Sequence, residues 1–165
     1  MYPIVIIMGV SGSGKSTIGQ DLSEQTGIPF FDADDYHPPA NVEKMKSGQA
    51  LQDEDRWPWL HRLAELLFLQ QKQQRGAILA CSALKTKYRD LLANDLLPTP
   101  LWIYLDGSPE LIAERLQARS GHFMPPALLA SQFEALEIPK KAIRVPIDQD
   151  VESIVSDILT HFQTP

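Results

Sequence analysis

Ile4-Val5-Ile6-Ile7-Met8 runs directly into Gly9-Val10-Ser11-Gly12-Ser13-Gly14-Lys15-Ser16, and Thr17 then opens a helical segment that ends near Gly27. The first stretch is an unbroken apolar run of strand type, and the second fits G-x-x-x-x-G-K-[ST] without a mismatch. Strand, glycine-rich loop and helix therefore stand in the order that a phosphate-binding loop requires. Glycines let the backbone curl until consecutive N–H groups point inward, and the helix N-terminus adds positive potential for an anion. Lys15 reads as the bridge between the β- and γ-phosphates of a nucleoside triphosphate. Ser16 reads as a hydroxyl ligand of Mg²⁺, an ion that draws on the protein sparingly and keeps several waters. Gly9, Ser11, Gly12, Ser13, Gly14, Lys15, Ser16 and Thr17 are the expected nucleotide-binding residues. A turn that merely joined strand to helix would leave Lys15, whose charge opposes the helix dipole, unexplained.

Outward from this loop, short strand-type runs alternate with helical patterns. They fall at Ile4 to Met8, Phe30 to Asp32, Ala77 to Ser82, Leu101 to Leu105 and Ile143 to Ile147. That alternation predicts an α/β fold, a parallel five-stranded sheet flanked by helices. Val151, Ile154, Val155, Ile158, Leu159 and Phe162 repeat at helical spacing and predict a final helix with one apolar stripe. A second helix is expected from about Pro58 to Gln74, with Leu60, Leu63, Ala64 and Leu67 on one face, and a third from Ser108-Pro109 to about Ala118. Between helices, roughly residues 119–126 carry Gly121, Pro125 and Pro126 around charged and aromatic residues, which suggests a lid.

The 165 residues make about one domain's worth of sequence, residues 1–165, with no repeat and no linker long enough to divide them. With 44% apolar and 22% charged residues the chain has the balance of a globular protein and not of a disordered one. Its net charge is −6 and it contains no basic run, so nucleic acid is not the expected partner. No run approaches the roughly 20 apolar residues that span a bilayer. The single cysteine, Cys81, sits inside an apolar run and has no partner for an intramolecular disulfide, which favours a reducing cytoplasm.

The metal and the phosphate acceptor need carboxylates. Asp32 and Asp34 fall at period two at the end of the second strand, where open parallel sheets bind ligands, and are expected on one face. One would hold Mg²⁺ through water while the other accepts a proton from an attacking hydroxyl. Asp34 is read as that acceptor, and Asp35 as part of a solvated turn. Arg56, in Asp53-Glu54-Asp55-Arg56-Trp57-Pro58-Trp59-Leu60, offers either a two-point grip on a carboxylate or a helix-start salt bridge to Asp53 or Asp55. Lys85 and Arg89, four apart, either steer a negative substrate or form a solvated helix face. Arg115 and Arg119 are also four apart, beside the expected lid, where one would stack on a nucleobase and the other stabilise the transferring phosphoryl group.

Taken together, Met8 to Ser16 (MGVSGSGKS), Asp34-Asp35-Tyr36-His37-Pro38, NVEKM at 41–45, Asp53 to Leu60, CSALK at 81–85, Tyr88-Arg89-Asp90, GHFMP at 121–125 and SQFEALE at 131–137 resemble bacterial gluconate kinase over nearly the whole chain. The resemblance implies a P-loop NTPase of nucleoside-monophosphate-kinase-like fold with a lid, a cytoplasmic enzyme that uses ATP and Mg²⁺ to phosphorylate D-gluconate at its 6-hydroxyl, and a homodimer. It places Lys15 and Ser16 at the nucleotide and metal, Asp34, His37 and Arg56 on the acceptor side, and makes Arg115 and Arg119 look like the arginine pair before the lid of related kinases. Asp32, from its place at the strand end, is the expected metal carboxylate. Lys85 and Arg89 join the expected substrate-binding residues, and Lys15, Asp34 and Arg119 the catalytic ones. Ala33 stands where that family commonly has glycine, Tyr36 where it has leucine, and the connection from Ile138 to Ile147 is short. Shikimate kinase is the alternative of the same class, but it carries a glycine triplet where this chain has Ser82-Ala83-Leu84. A non-catalytic nucleotide-binding module is the alternative of another class, and it has no use for a proton acceptor.

Overall fold

Ile4–Met8 (β1) is buried along its whole length, because it runs through the middle of the sheet and both of its faces are covered. The computed structural model describes residues 2–119 and 126–162. After β1 come α1 (Lys15–Thr26), β2 (Phe30–Asp32), a 3₁₀ turn (Ala33–Tyr36), α2 (Pro39–Lys46), α3 (Asp53–Lys72), β3 (Ala77–Ala80) and α4 (Thr86–Ala93). They are followed by β4 (Leu101–Asp106), α5 (Pro109–Ala118), α6 (Pro126–Ala135), β5 (Ile143–Pro146) and α7 (Val151–Phe162). The strands form one parallel sheet in the order β2-β3-β1-β4-β5. The expected five-stranded parallel sheet flanked by helices is the observed one.

The pleat of β1 divides the core. Val5 and Ile7 face one way, toward Ile18 and Leu22 of α1, Ile112 of α5 and Ile154, Val155 and Ile158 of α7. Ile4, Ile6 and Met8 face the other way, toward Leu60, Leu63 and Leu67 of α3 and Leu92 of α4. With both faces filled, the loops at the C-terminal ends of β1, β2 and β3 converge on one crevice, and Gly9 N–H donates to Ser82 O across it at 3.3 Å.

The helix over 58–74 in fact starts five residues earlier. Asp53, Glu54 and Asp55 complement the dipole of its first turn, Gln52 N–H donates to Asp55 Oδ2 at 2.8 Å, and Pro58 is carried inside the helix near its start. β3 is shorter than expected because the chain leaves the sheet after Ala80, although Cys81 N–H still donates to Ile7 O at 3.0 Å. The start of α5 is as read: Ser108 Oγ accepts from Leu111 N–H at 3.1 Å. α2 has no apolar stripe to betray it, since Asn41 is its one buried residue. Residues 120–125, the body of the expected lid with its GHFMP string, lie outside the described residues.

Candidate active site

The phosphate loop is shaped by backbone. Gly14 adopts φ 97° as it caps α1, a left-handed conformation that a side chain would strain. At Gly9, φ is 150° and a Cβ would stand 3.0 Å from Leu105 O and 2.8 Å from Ser13 Oγ, so the loop closes only over a hydrogen. Lys15 Nζ arches back over this loop to donate to Gly9 O at 3.1 Å and Val10 O at 3.0 Å. Enclosure lowers its pKa, and the carboxylates of Asp34 and Asp32 pull the other way. Ser16 Oγ donates to Asp32 Oδ2 at 2.7 Å, so the two expected metal ligands meet. Thr17 is exposed at the first turn of α1.

Asp32 and Asp34 do come together, but not by strand alternation. β2 ends at Asp32, and Asp34 lies in the 3₁₀ turn, where its N–H donates to Asp32 Oδ1 at 3.0 Å. One carboxylate thus caps the turn with one oxygen and takes the Ser16 hydroxyl with the other. That leaves Asp34 with a side chain 87% exposed at the crevice mouth. The surrounding protein and then the Asp32 charge raise its pKa above the usual carboxylate value.

His37 follows the turn with a side chain 4% exposed. Its ring stacks on Trp59 at 4.1 Å and 16°, and Trp59 is itself fixed by Nε1–H donating to Ala33 O at 2.7 Å. Burial, then the Arg56 charge, lowers the His37 pKa. Arg56 realises the salt bridge that its sequence allowed: Nη1 lies 3.3 Å from Asp53 Oδ1 and 3.2 Å from the Tyr88 hydroxyl. Asp53 also accepts from Lys87 and from Tyr88, and those bonds hold its carboxyl down at about 2.

Lys85 and Arg89 do not share a helix face. α4 begins only at Thr86, so Lys85 precedes it, with its ammonium 5.9 Å from the Tyr88 ring centre. Arg89 is buried and donates to Ala83 O at 2.7 Å, Glu137 O at 2.8 Å and Thr86 Oγ1 at 3.2 Å. Its charge is spent tying the loop after β3 to the segment after α6. Arg115 and Arg119 also part: Arg115 lies in the last turn of α5 and donates to Ile147 O, whereas Arg119 is the exposed residue that ends the helix, its charge acting on Lys15.

A family model described as shikimate kinase matches residues 11–161. A gluconokinase of Gluconobacter oxydans (strain 621H) is 44% identical over 162 residues, which cover 96% of this chain and 90% of that protein. The chain belongs to the gluconokinase family. A thermosensitive gluconokinase of Escherichia coli (strain K12) is 44% identical over 153 residues, 90% of this chain and 81% of that protein. The crystal structure of a gluconokinase from Sinorhizobium meliloti 1021 superposes with a TM-score of 0.89 at 40% identity, covering 97% of this chain and 91% of that one.

In this member of the gluconokinase family, several residues of the site escape a reading by motif. Gln132, on α6, accepts from Ser11 N–H at 2.7 Å and so ties that helix to the phosphate loop. Glu137 accepts from Thr86 N–H at 2.7 Å and caps α4. Asp53, Lys87 and Tyr88 assemble around Arg56 from two helices. Apart from the local Asp53–Arg56 pair, partners distant in sequence reveal these roles. Asn41 left one trace, its place at the head of the NVEKM string at 41–45.

Proposed function

We propose that this chain transfers the γ-phosphoryl group of ATP to the 6-hydroxyl of D-gluconate, giving 6-phospho-D-gluconate and ADP. The observation that carries the acceptor is 44% identity to gluconokinases over 90–96% of the chain, because phosphate loop and sheet order serve kinases of many substrates. In this reading the loop amides and Lys15 hold the β- and γ-phosphates, with Arg119 adding charge from the end of α5 and Arg115 lying beside the nucleotide. Ser16 and Asp32 are hard oxygen donors already in contact, which suits an ion that takes few protein ligands. Among the described residues no cluster of three or more His, Cys, Asp or Glu side chains offers a fuller cage. Bound there, Mg²⁺ neutralises charge on the phosphate oxygens.

The acceptor hydroxyl oxygen attacks the γ-phosphorus, the bond from that phosphorus to the β–γ bridging oxygen breaks, and the hydroxyl proton passes to Asp34. Because the transition state is loose, positioning accounts for much of what Asp34 does. Arg56 meets the gluconate carboxylate, with Lys85 contributing positive charge nearby and His37 facing the hydroxyls. Arg89 serves the substrate side through the loop that it ties. The chain acts as one domain, residues 1–165, and as a homodimer in a reducing cytoplasm, where the buried Cys81 thiol, pushed up to about 12 by its burial, stays protonated. Among the described residues no helix is long and apolar enough to cross a membrane.

The test is ADP release by the purified protein with ATP and Mg²⁺ across a panel of sugar acids and shikimate. Release with gluconate well above the rest is expected. Release with shikimate and not with gluconate overturns the assignment, and light scattering at the mass of one chain removes the dimer.

A further inference from the structure

Asn41 is 4% exposed on a helix that otherwise faces solvent, and a buried amide requires partners for its N–H groups. Two are present. Nδ2 lies 2.9 Å from Asp55 O and 3.2 Å from His37 Nδ1. The first contact decides the second. A backbone carbonyl has no proton to give, so the amide atom that faces Asp55 must be the NH₂ nitrogen, and the orientation of Asn41 is fixed. Its second N–H then points at His37 Nδ1, which must present a lone pair. The ring's proton therefore sits on Nε2, and a doubly protonated ring would set N–H against N–H.

The free end of that ring points into the acceptor side, where Nε2 lies 4.0 Å from Asp34 Oδ1. The gap is too long for a direct hydrogen bond. It is short enough for one oxygen to sit about 2.8 Å from both atoms, the usual O–H···O and N–H···O range. We propose that Asn41 is a positioning residue that holds His37 as the neutral Nε2–H tautomer, so that an acceptor hydroxyl accepts from His37 while donating to Asp34. The division of labour follows: His37 reads a hydroxyl and Arg56 reads the carboxylate. This assignment of ligand groups rests on the gluconokinase reading above; the tautomer does not.

The groups facing His37 are Asp34 from the 3₁₀ turn, Asn41 from α2 and Arg56 and Trp59 from α3. Asp55 meets Asn41 through its carbonyl, and its carboxylate is turned to Lys44 Nζ at 2.7 Å. The ¹⁵N spectrum of histidine-labelled protein near neutral pH, with His37 assigned by its loss in His37→Gln, should show a neutral ring protonated at Nε2. A ring protonated at Nδ1, or charged, overturns the proposal. Asn41→Asp sets a carboxylate against Nδ1, so the midpoint of the ring titration should rise by about one to three pH units. Below that midpoint the charged ring pairs with Asp34 and closes the gap, so the gluconate KM should climb as pH falls while the ATP KM stays within about twofold, since His37 lies off the phosphate loop. An unmoved midpoint and a wild-type KM profile overturn the role of Asn41. If Asn41→Asp does not fold, the wild-type spectrum decides alone. That spectrum needs no turnover, so a protein inactive on gluconate with an Nε2–H ring would sink the acceptor assignment and leave the tautomer standing.

Discussion

On the phosphate side of the crevice the expected loop ligands come from one unbroken run, Gly9 to Thr17, whose backbone shapes the loop, with Asp32, Arg115 and Arg119 added from elsewhere in the chain. On the acceptor side the expected ligands are side chains, Asp34, His37, Arg56, Lys85 and Arg89, and His37 and Arg56 lean on Asn41, Asp53, Trp59 and Tyr88 from three helices. A site made of backbone is set by the conformations its glycines allow, and few side-chain changes reach it. A site made of side chains is set by what each one leans on, so it can be damaged through residues that never meet the substrate. The contrast is testable side by side.

Within the loop itself Lys15 is the exception, a side chain that carries full charge. Lys15→Ala should lower kcat by about 10³-fold, the upper end of the loss seen when one donor to a developing charge is removed. The melting temperature should stay close to wild type, because among the described residues the hydrogen bonds of Lys15 Nζ go to its own loop. A loss of less than tenfold would mean that the loop amides alone suffice, and would make the loop entirely a backbone device.

Asp34→Asn should lower kcat by about 10²-fold, the low end for a general base, with the ATP KM nearly unchanged. Since its carboxyl titrates above the usual value, wild-type kcat should begin to fall with acid at a higher pH than an ordinary carboxylate would give. Stability carries the opposite sign. A carboxyl whose pKa is raised on folding stabilises the folded state only while protonated, and stability is lost as pH rises through the raised pKa. Asp34→Asn should therefore melt above wild type at neutral pH, with the difference closing in acid. A variant both slower and less stable at neutral pH would recast Asp34 as part of the scaffold.

What could be read from the sequence follows the same division. Gly9 to Ser16 is local and its spacing is dictated by phosphate, so strand, loop and helix were visible together; the apolar runs of the other strands and the stripe of α7 were visible because burial imposes a period. Asp32 and Asp34 were paired for the wrong reason, since nothing in Phe31-Asp32-Ala33-Asp34 says that the strand stops and a 3₁₀ turn begins. The salt bridge of Arg56 was legible because Asp53 is three residues away. Its contact with Tyr88, 32 residues on, was not. Arg89 illustrates the limit most sharply: its spacing from Lys85 suggested a shared face, and only the approach of Glu137, 48 residues further along, reveals a buried tether.

Arg56→Lys probes how much of the acceptor side is shape and not charge. The ammonium keeps the charge but loses the planar fork, and Asp53 still competes for it. The gluconate KM should rise about tenfold, a loss near the lower end for hydrogen bonds to charged groups, and the ATP KM should not follow. Equal rises in both KM values would place Arg56 in the scaffold with Asp53 and Tyr88.

The smallest expected effect lies at the joint between the two sides. Ala83 has φ 44° and is buried, and its carbonyl accepts from Arg89 Nη1 at 2.7 Å. An alanine held in the left-handed region costs about 1–2 kcal/mol. Glycine would relieve that strain, but it would also return about 0.5–1 kcal/mol through the greater freedom of the unfolded chain. Ala83→Gly should therefore stabilise the protein by at most about 1.5 kcal/mol, which for a chain of this size is a rise of at most about 3–6 °C in melting temperature. Because Arg89 and the Glu137 segment pin the loop from outside, the gluconate KM should change by less than about threefold, within the reach of one marginal contact. A melting temperature that falls would mean that the buried methyl group contributes more by packing than the left-handed backbone costs. A large rise in KM at unchanged stability would mean that the stiffness of Ala83, and not the tether, sets where Lys85 stands.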